Sequence, residues 1–260
     1  MSAVVSQTRA AKKLPFGTIL LLGVLIAVVS WLILDPSLGQ VLLQWLPYLA
    51  KGFAMNVLIS ILAIAIGTFI GVLLGIMELA PYRLVRAPAL TYVQVFRNAP
   101  HLVLIFAATY IFPFEIVAFG NYIPFPDWIK AVVGLAIPAS AHIAEITRGA
   151  IQSIPTAQWE AAQGLGFSRN QTLRWIILPQ CVKRSLPPWM NLYASITMGT
   201  ALASLVGVHE LLHAATDAST AVQRNDFTVV VYLTVLMAFF LFCYPVSRFT
   251  QRLERRFASR

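Results

Sequence analysis

Charge is what this sequence has least of. Asp, Glu, Lys and Arg make up 11% of its 260 residues, against roughly 25% in a soluble domain. With 58% hydrophobic residues beside so little charge, a soluble enzyme and a disordered chain are both excluded. Cysteine is nearly absent. Cys181 and Cys243 are the two present, and their separation gives no CxxC or zinc-ligand spacing, so redox chemistry, a zinc module and a disulfide framework are not supported. No lysine follows a glycine, so the G-x-x-x-x-G-K-[ST] phosphate loop is missing and the chain cannot hydrolyse ATP unaided. With no hydrolase constellation expected, whether of the G-x-S-x-G or the H-E-x-x-H kind, an intramembrane enzyme is disfavoured.

What the chain has instead is long apolar runs: Phe16–Leu34, then about 53–79, 90–112, 128–150, 187–208 and 227–247. At ~1.5 Å per residue the first reaches about 29 Å, enough to cross the hydrocarbon core. It follows Arg9, Lys12 and Lys13 and lacks a small-x-small cleavage site at Asp35-Pro36-Ser37, so it is read as an uncleaved additional transmembrane helix rather than a signal peptide. The expected fold is an all-α integral membrane protein of about six transmembrane helices, with both termini cytoplasmic. This arrangement puts all but Lys51, Lys130 and Arg224 of the 19 Lys and Arg residues on the cytoplasmic side, as the positive-inside rule requires. The net charge of +9 is therefore a topology signal and a match to anionic lipid heads, not a nucleic-acid footprint.

Residues 1–15 then form a basic cytoplasmic N-terminus and 251–260 a basic cytoplasmic tail. The stretch 36–52, with Trp45 and Tyr48, suits the interface. Pro113–Asp127 is expected to be extended, and the 209–226 loop to start with a short helix lying on the membrane.

The cytoplasmic loop of about 151–186 is the longest. Thr156 after Pro155 is expected to open a capped short helix that Gly164 and Gly166 end; Ser168 caps a second helix that stops before Pro179. Within it run Glu160-Ala161-Ala162, three residues, Gly166, nine residues, then Ile176-x-Leu178-Pro179. This pattern resembles the "EAA" loop of importer-type ABC transporter permeases. Phe96-Arg97-Asn98-Ala99-Pro100 is similar to the "RGTP" element of their polar amino-acid subfamily, and Ala141–Gly149 to its "AAYxAExxRGG" segment. The resemblance covers about residues 52–250. It departs at His142, Ala157 and Met198–Leu202, which leaves the substrate open.

The resemblance implies a permease domain over 52–250, in a bacterial inner membrane, that carries a polar amino acid. Glu160, Ala161, Ala162, Gly166, Leu178 and Pro179 would couple it to an ATPase. It implies as partners two ATP-binding cassette subunits holding ATP and Mg, a second permease chain and an external substrate-binding protein, with no cofactor or metal in this chain. Another small solute (an opine, methionine or an organosulfur compound) is the nearest alternative, and an ATP-independent carrier a further one.

Ionisable groups inside a membrane default to functional candidates. His142, Glu145 and Arg148 recur every three residues and share one face of the fourth span. Glu145 and Arg148 can pair, either to fix the span or to serve the path, and His142 is either a satisfied interior group or a path residue. Arg97, Asn98 and His101 lie where Pro100 forbids a regular helix. Asn56 is a further path candidate. Gly67, Gly71 and Gly75 make two GxxxG steps for close helix contact, and Pro138 is expected to kink the fourth span.

Overall fold

The computed structural model describes residue 23 and residues 35–118 and 121–258. The expected span Phe16–Leu34, the basic N-terminus before it and the last two residues of the tail lie outside the described residues, residue 23 apart. Helix α1 covers Pro36–Glu78. Asp35 caps it by accepting from the Ser37 amide at 3.0 Å, and Pro36 takes the first position, where no amide donor is needed. At ~1.5 Å per residue its 43 residues extend about 65 Å, roughly twice a hydrocarbon core. The expected interfacial stretch 36–52 is therefore no separate element but the first turns of this helix.

Two faces of α1 have opposite roles. Ile61, Phe69, Leu73 and Ile76 are exposed, as lipid-facing side chains are. Asn56, Ile59, Ser60, Ala63, Gly67, Gly71 and Gly75 are buried. The glycine steps meet helix α4, Asp127–Gln152, within the same chain. A Cβ built on Gly71 would stand 2.5 Å from the Ser140 carbonyl oxygen, and one on Gly75 2.6 Å from that of Ala144. In lipid, helices associate by such close backbone packing, because tail and side chain are equally apolar. Gly71→Leu is accordingly expected to lower stability by about 1–3 kcal/mol through overpacking, read as an earlier thermal midpoint in detergent. Gly149→Leu, whose Cβ meets nothing within 4 Å, should change little.

The expected 90–112 span is broken. Helix α2, Arg83–Arg97, ends at Asn98, and α3, His101–Ile111, starts after Pro100. Proline has no amide to continue the ladder and pushes its predecessor out of helical geometry. Beyond α3 a hairpin pairs β1, Glu115–Ala118, with β2, Asn121–Pro124, in antiparallel register with Glu115 opposite Pro124. The expected extended segment thus becomes a small sheet. At its foot Lys130 is fully buried, yet its ammonium meets Asp127 at 2.9 Å and lies 3.8 Å from the Phe114 ring centroid, which offsets its desolvation.

Helix α4 is the central element and packs against α1, α2 and α3. It also packs against α7, which runs Leu178–Gly199. Between α4 and α7 lie α5, Thr156–Gly164, the single turn α6, Arg169–Gln171, and a π-helical stretch, Thr172–Ile177, that runs straight into α7. A 3-10 segment, Thr200–Val206, prolongs α7, and Gly207 at φ +83° turns the chain. Helix α8, Leu211–Val222, is set 49° from the rod that begins at Arg169. It does not simply lie on the membrane: Ala214, Ala215 and Ala218 pack with Leu38 and Leu49 of α1. Phe227 and Val231, in the same cluster, belong to α9, Asn225–Ala258. At that end Arg224 bridges Asp35 at 2.8 Å and Asp226 at 2.6 Å, fastening the start of α1 to the start of α9. The Ser37 hydroxyl and the Arg224 guanidinium hold the Asp35 carboxyl below the usual carboxylate range.

Among the described residues α1, α4 and α9 are each long and apolar enough to cross a membrane. The rod ending at Val206 qualifies only together with α8 as a bent pair, and α2 and α3 are individually too short.

Candidate coupling loop and charged membrane face

The loop between α4 and α7 folds as a unit. Helix α5 starts at Thr156 as expected, but no side chain caps it; Pro155 supplies the extended turn instead. Its inner face is anchored by Trp159, which packs on the small cluster of Ala150, Ile154, Ile177 and Cys181. Ala162 is buried, whereas Glu160 and Ala161 are exposed. Gly166 has φ +77°, the left-handed region that disfavours any side chain. A Cβ there would meet nothing within 4 Å, so the reason for glycine is backbone conformation and not a lack of space. Ser168 opens the next turn with a full capping box: its hydroxyl accepts from the Gln171 amide, and the Gln171 side chain accepts from the Ser168 amide at 2.8 Å.

The second helix does not stop before Pro179. The Leu178 amide bonds back five residues, to Leu173. This wider turn provides for the proline ring, which would clash in a regular ladder. Gln180 reaches Gln158 at 3.4 Å, and Arg184 donates to the Ser153 carbonyl at 2.8 Å. The loop is thereby tied to both α4 and α7. Around it Leu165, Trp175, Leu178 and Val182 are exposed, an apolar rim of the kind a partner protein covers.

The charged face joins three helices. Glu145 and Arg148 of α4 are paired, Arg97 of α2 meets Glu145 at 3.3 Å, and Arg148 reaches Glu78 of α1 at 3.4 Å and Gln152 at 2.9 Å. Glu78 was not expected in this group. Its side chain is 1% exposed, and neither of its oxygens accepts a hydrogen bond among the described residues, so Arg148 is its described ionic partner. An acid closing a long apolar run was the signal available in sequence. His142, half-buried one turn deeper, lies within electrostatic range of Arg97 and His101. Asn98 caps α2, with its side-chain amide on the Gln94 carbonyl at 2.7 Å. The structure thus gathers Arg97, His142 and Glu145, with Asn98 at the adjoining break.

Asn56 lies elsewhere. It is fully buried, donates to Thr200 at 2.9 Å and Glu210 at 2.7 Å, and accepts from the Leu211 amide at 3.0 Å. All its described bonds join α1 to the α7–α8 connection. Beside it the expectation that no H-E-x-x-H pattern occurs is incorrect, since His209-Glu210-Leu211-Leu212-His213 spells one.

Known proteins match this arrangement. Residues 67–259 fit the family model described as binding-protein-dependent transport system inner membrane component. The probable amino-acid ABC transporter permease protein YckA of Bacillus subtilis is 32% identical over 212 residues, 82% of this chain and 90% of that one. The glutamine transport system permease protein GlnP of Escherichia coli is 32% identical over 211 residues, 81% and 93% of the two chains. A crystal structure of an amino acid ABC transporter with histidines superposes with a TM-score of 0.71 at 26% identity, covering 83% of this chain and 96% of that one. The helical permease fold, the loop geometry and these matches agree: the chain belongs to the binding-protein-dependent inner membrane components, the non-catalytic permease subunits of ABC importers.

Proposed function

We propose that this permease carries a polar amino acid across a bacterial inner membrane, driven by ATP that two separate cassette subunits bind with Mg and hydrolyse. The observation that carries the reading is the loop built on α5, Gly166 and the Ser168 cap. It presents an apolar rim at one end and continues without a break into α7. Movement of a docked ATPase would reach the membrane through that rod. In this reading Glu160, Ala161, Gly166, Leu178 and Pro179 form the docking side, the buried Ala162 packs the coupling helix beneath them, and both termini are cytoplasmic around six spans. The permease domain begins near residue 52, after the additional span 16–34. A second permease chain and an external binding protein complete the assembly.

Relatives named for amino acids and glutamine support the substrate class. So does the chemistry of the charged face. A zwitterion carries one charge of each sign, and Arg97 and Glu145 offer one of each, part-exposed at 39% and 34%, beside Asn98 and His142. Asn56, with its amide engaged by three partners, serves as a joint rather than a path residue in this conformation.

Reconstitution of the assembly in liposomes with its binding protein tests the reading. Uptake of a labelled amino acid is expected to require ATP and the cassette subunits. Arg97→Ala should lower it about tenfold or more, the loss of a charged hydrogen bond. Uptake that persists without the cassette subunits would point to a carrier, and ATP-dependent uptake of a non-amino-acid solute alone to another substrate class.

A further inference from the structure

A second cluster of ligating side chains lies beyond the far end of α7, away from the coupling loop. His209, His213 and Asp217 each turn one ligand atom inward, and these atoms lie within 4.8 Å of one another. Gly207 turns the chain so that His209 precedes α8, and its ring meets that of His213 edge-on with centroids 4.3 Å apart. One helical turn on, Asp217 sits beneath His213 on the same face, with Oδ1 3.8 Å from His213 Nε2. Its other oxygen, Oδ2, accepts from the Tyr48 hydroxyl of α1 at 2.8 Å, which orients the carboxylate and leaves Oδ1 free to ligate. His209 is exposed, and His213 and Asp217 are part-exposed, so an ion can enter from solvent.

We propose that His209, His213 and Asp217 form a zinc site at the joint between α7 and α8, with Tyr48 as the residue that positions Asp217. Two imidazoles and a carboxylate are ligands for zinc, not for magnesium or calcium, which prefer oxygen alone. Three protein ligands leave a fourth tetrahedral position for water or for a group from whatever docks at this end.

The same five letters on a helix mark zinc peptidases, in which the glutamate is the general base. Glu210 is not available for that work. It is fully buried, its Oε1 accepts from the His213 amide at 2.9 Å, and its Oε2 accepts from the Leu212 amide at 3.0 Å and from Asn56. It is spent as the N-cap of α8. The site therefore binds metal without a hydrolytic base. Its effect is mechanical: a bound ion fastens His209, on the turn, to α8, and through Asp217 and Tyr48 to α1.

Zinc titration of the purified assembly, carrying a tag without histidine, tests this by calorimetry beside a magnesium control. The expected result is one saturable zinc ion per copy of this chain, a higher thermal midpoint with zinc, and no response to magnesium. The His209→Ala/His213→Ala double variant should lose that binding. Tyr48→Phe should weaken it by about tenfold to a hundredfold, as the loss of a partner behind a ligand does. Zinc bound equally by wild type and the double variant, or no saturable binding by wild type, overturns the proposal. If the double variant fails to assemble, wild-type stoichiometry and Tyr48→Phe decide, and unchanged affinity in Tyr48→Phe removes the positioning role.

Discussion

Gly166→Asp is expected to abolish ATP-driven uptake while the chain still inserts and folds. The left-handed backbone at Gly166, φ +77°, is one that aspartate tolerates better than most residues, and a Cβ there enters open space. The chain itself thus loses little. The loss falls on the docked state, because the carboxylate would stand in open space beside the exposed Leu165, where the ATPase docks in the proposed reading. A charge buried against a partner without a counter-ion costs several kcal/mol, which is about a hundredfold or more in affinity. Co-purification of the ATPase with tagged chain reads this directly. Gly166→Asn separates the two causes, since it keeps the backbone tolerance without the charge and should retain most of the partner. Equal loss in both variants would assign the effect to the turn, and full uptake in the aspartate variant would remove Gly166 from the interface.

The second large effect is expected at Arg148. Its guanidinium stands between Glu145, Glu78 and Gln152, drawn from two helices. Arg148→Ala leaves Glu145 its pairing with Arg97 but strands the almost wholly buried Glu78, and stranding a buried charge costs about 3–5 kcal/mol. Because Arg148 is itself 30% exposed, the lower end of that range is expected. Arg148→Lys should recover only part, for an ammonium cannot address three acceptors in the plane of a guanidinium. Neutralising both acids, with Glu78→Gln and Glu145→Gln beside Arg148→Ala, should restore most of the thermal midpoint. If the single and triple variants are equally unstable, the contribution of Arg148 is packing rather than charge.

The parts of this molecule legible in sequence were those set by local chemistry. Pro100 falls at the break between α2 and α3, Ser168 caps a helix, and glycines four apart face a partner helix. The α5 loop could be recognised because its pattern is nearly contiguous. Other features depend on partners distant in the chain. Asn56 looks like a polar residue stranded in a membrane until Thr200 and Glu210 are seen to meet it. Glu78 reads as the end of an apolar run until Arg148 arrives from α4. Pro179 reads as a stop because a regular helix cannot pass it, and only the wider turn before it removes the conflict. The continuation of α1 back to Pro36 was hidden by the polar residues and Pro47 within that stretch, which helix propensity alone does not resolve.

The π-helical stretch Thr172–Ile177 also sets a phase. Such a stretch behaves as one residue inserted into an α-helix, and one residue corresponds to about 100° of rotation around the axis. Everything from Leu178 to Val206 is therefore clocked against the coupling helix by that single extra residue. It puts Trp189 opposite Thr68, to which its indole donates at 2.8 Å, and Ala194 opposite Cys243. Relatives that shorten or lengthen this stretch by one residue would keep every motif of the loop and yet turn a different side of α7 toward the rest of the bundle.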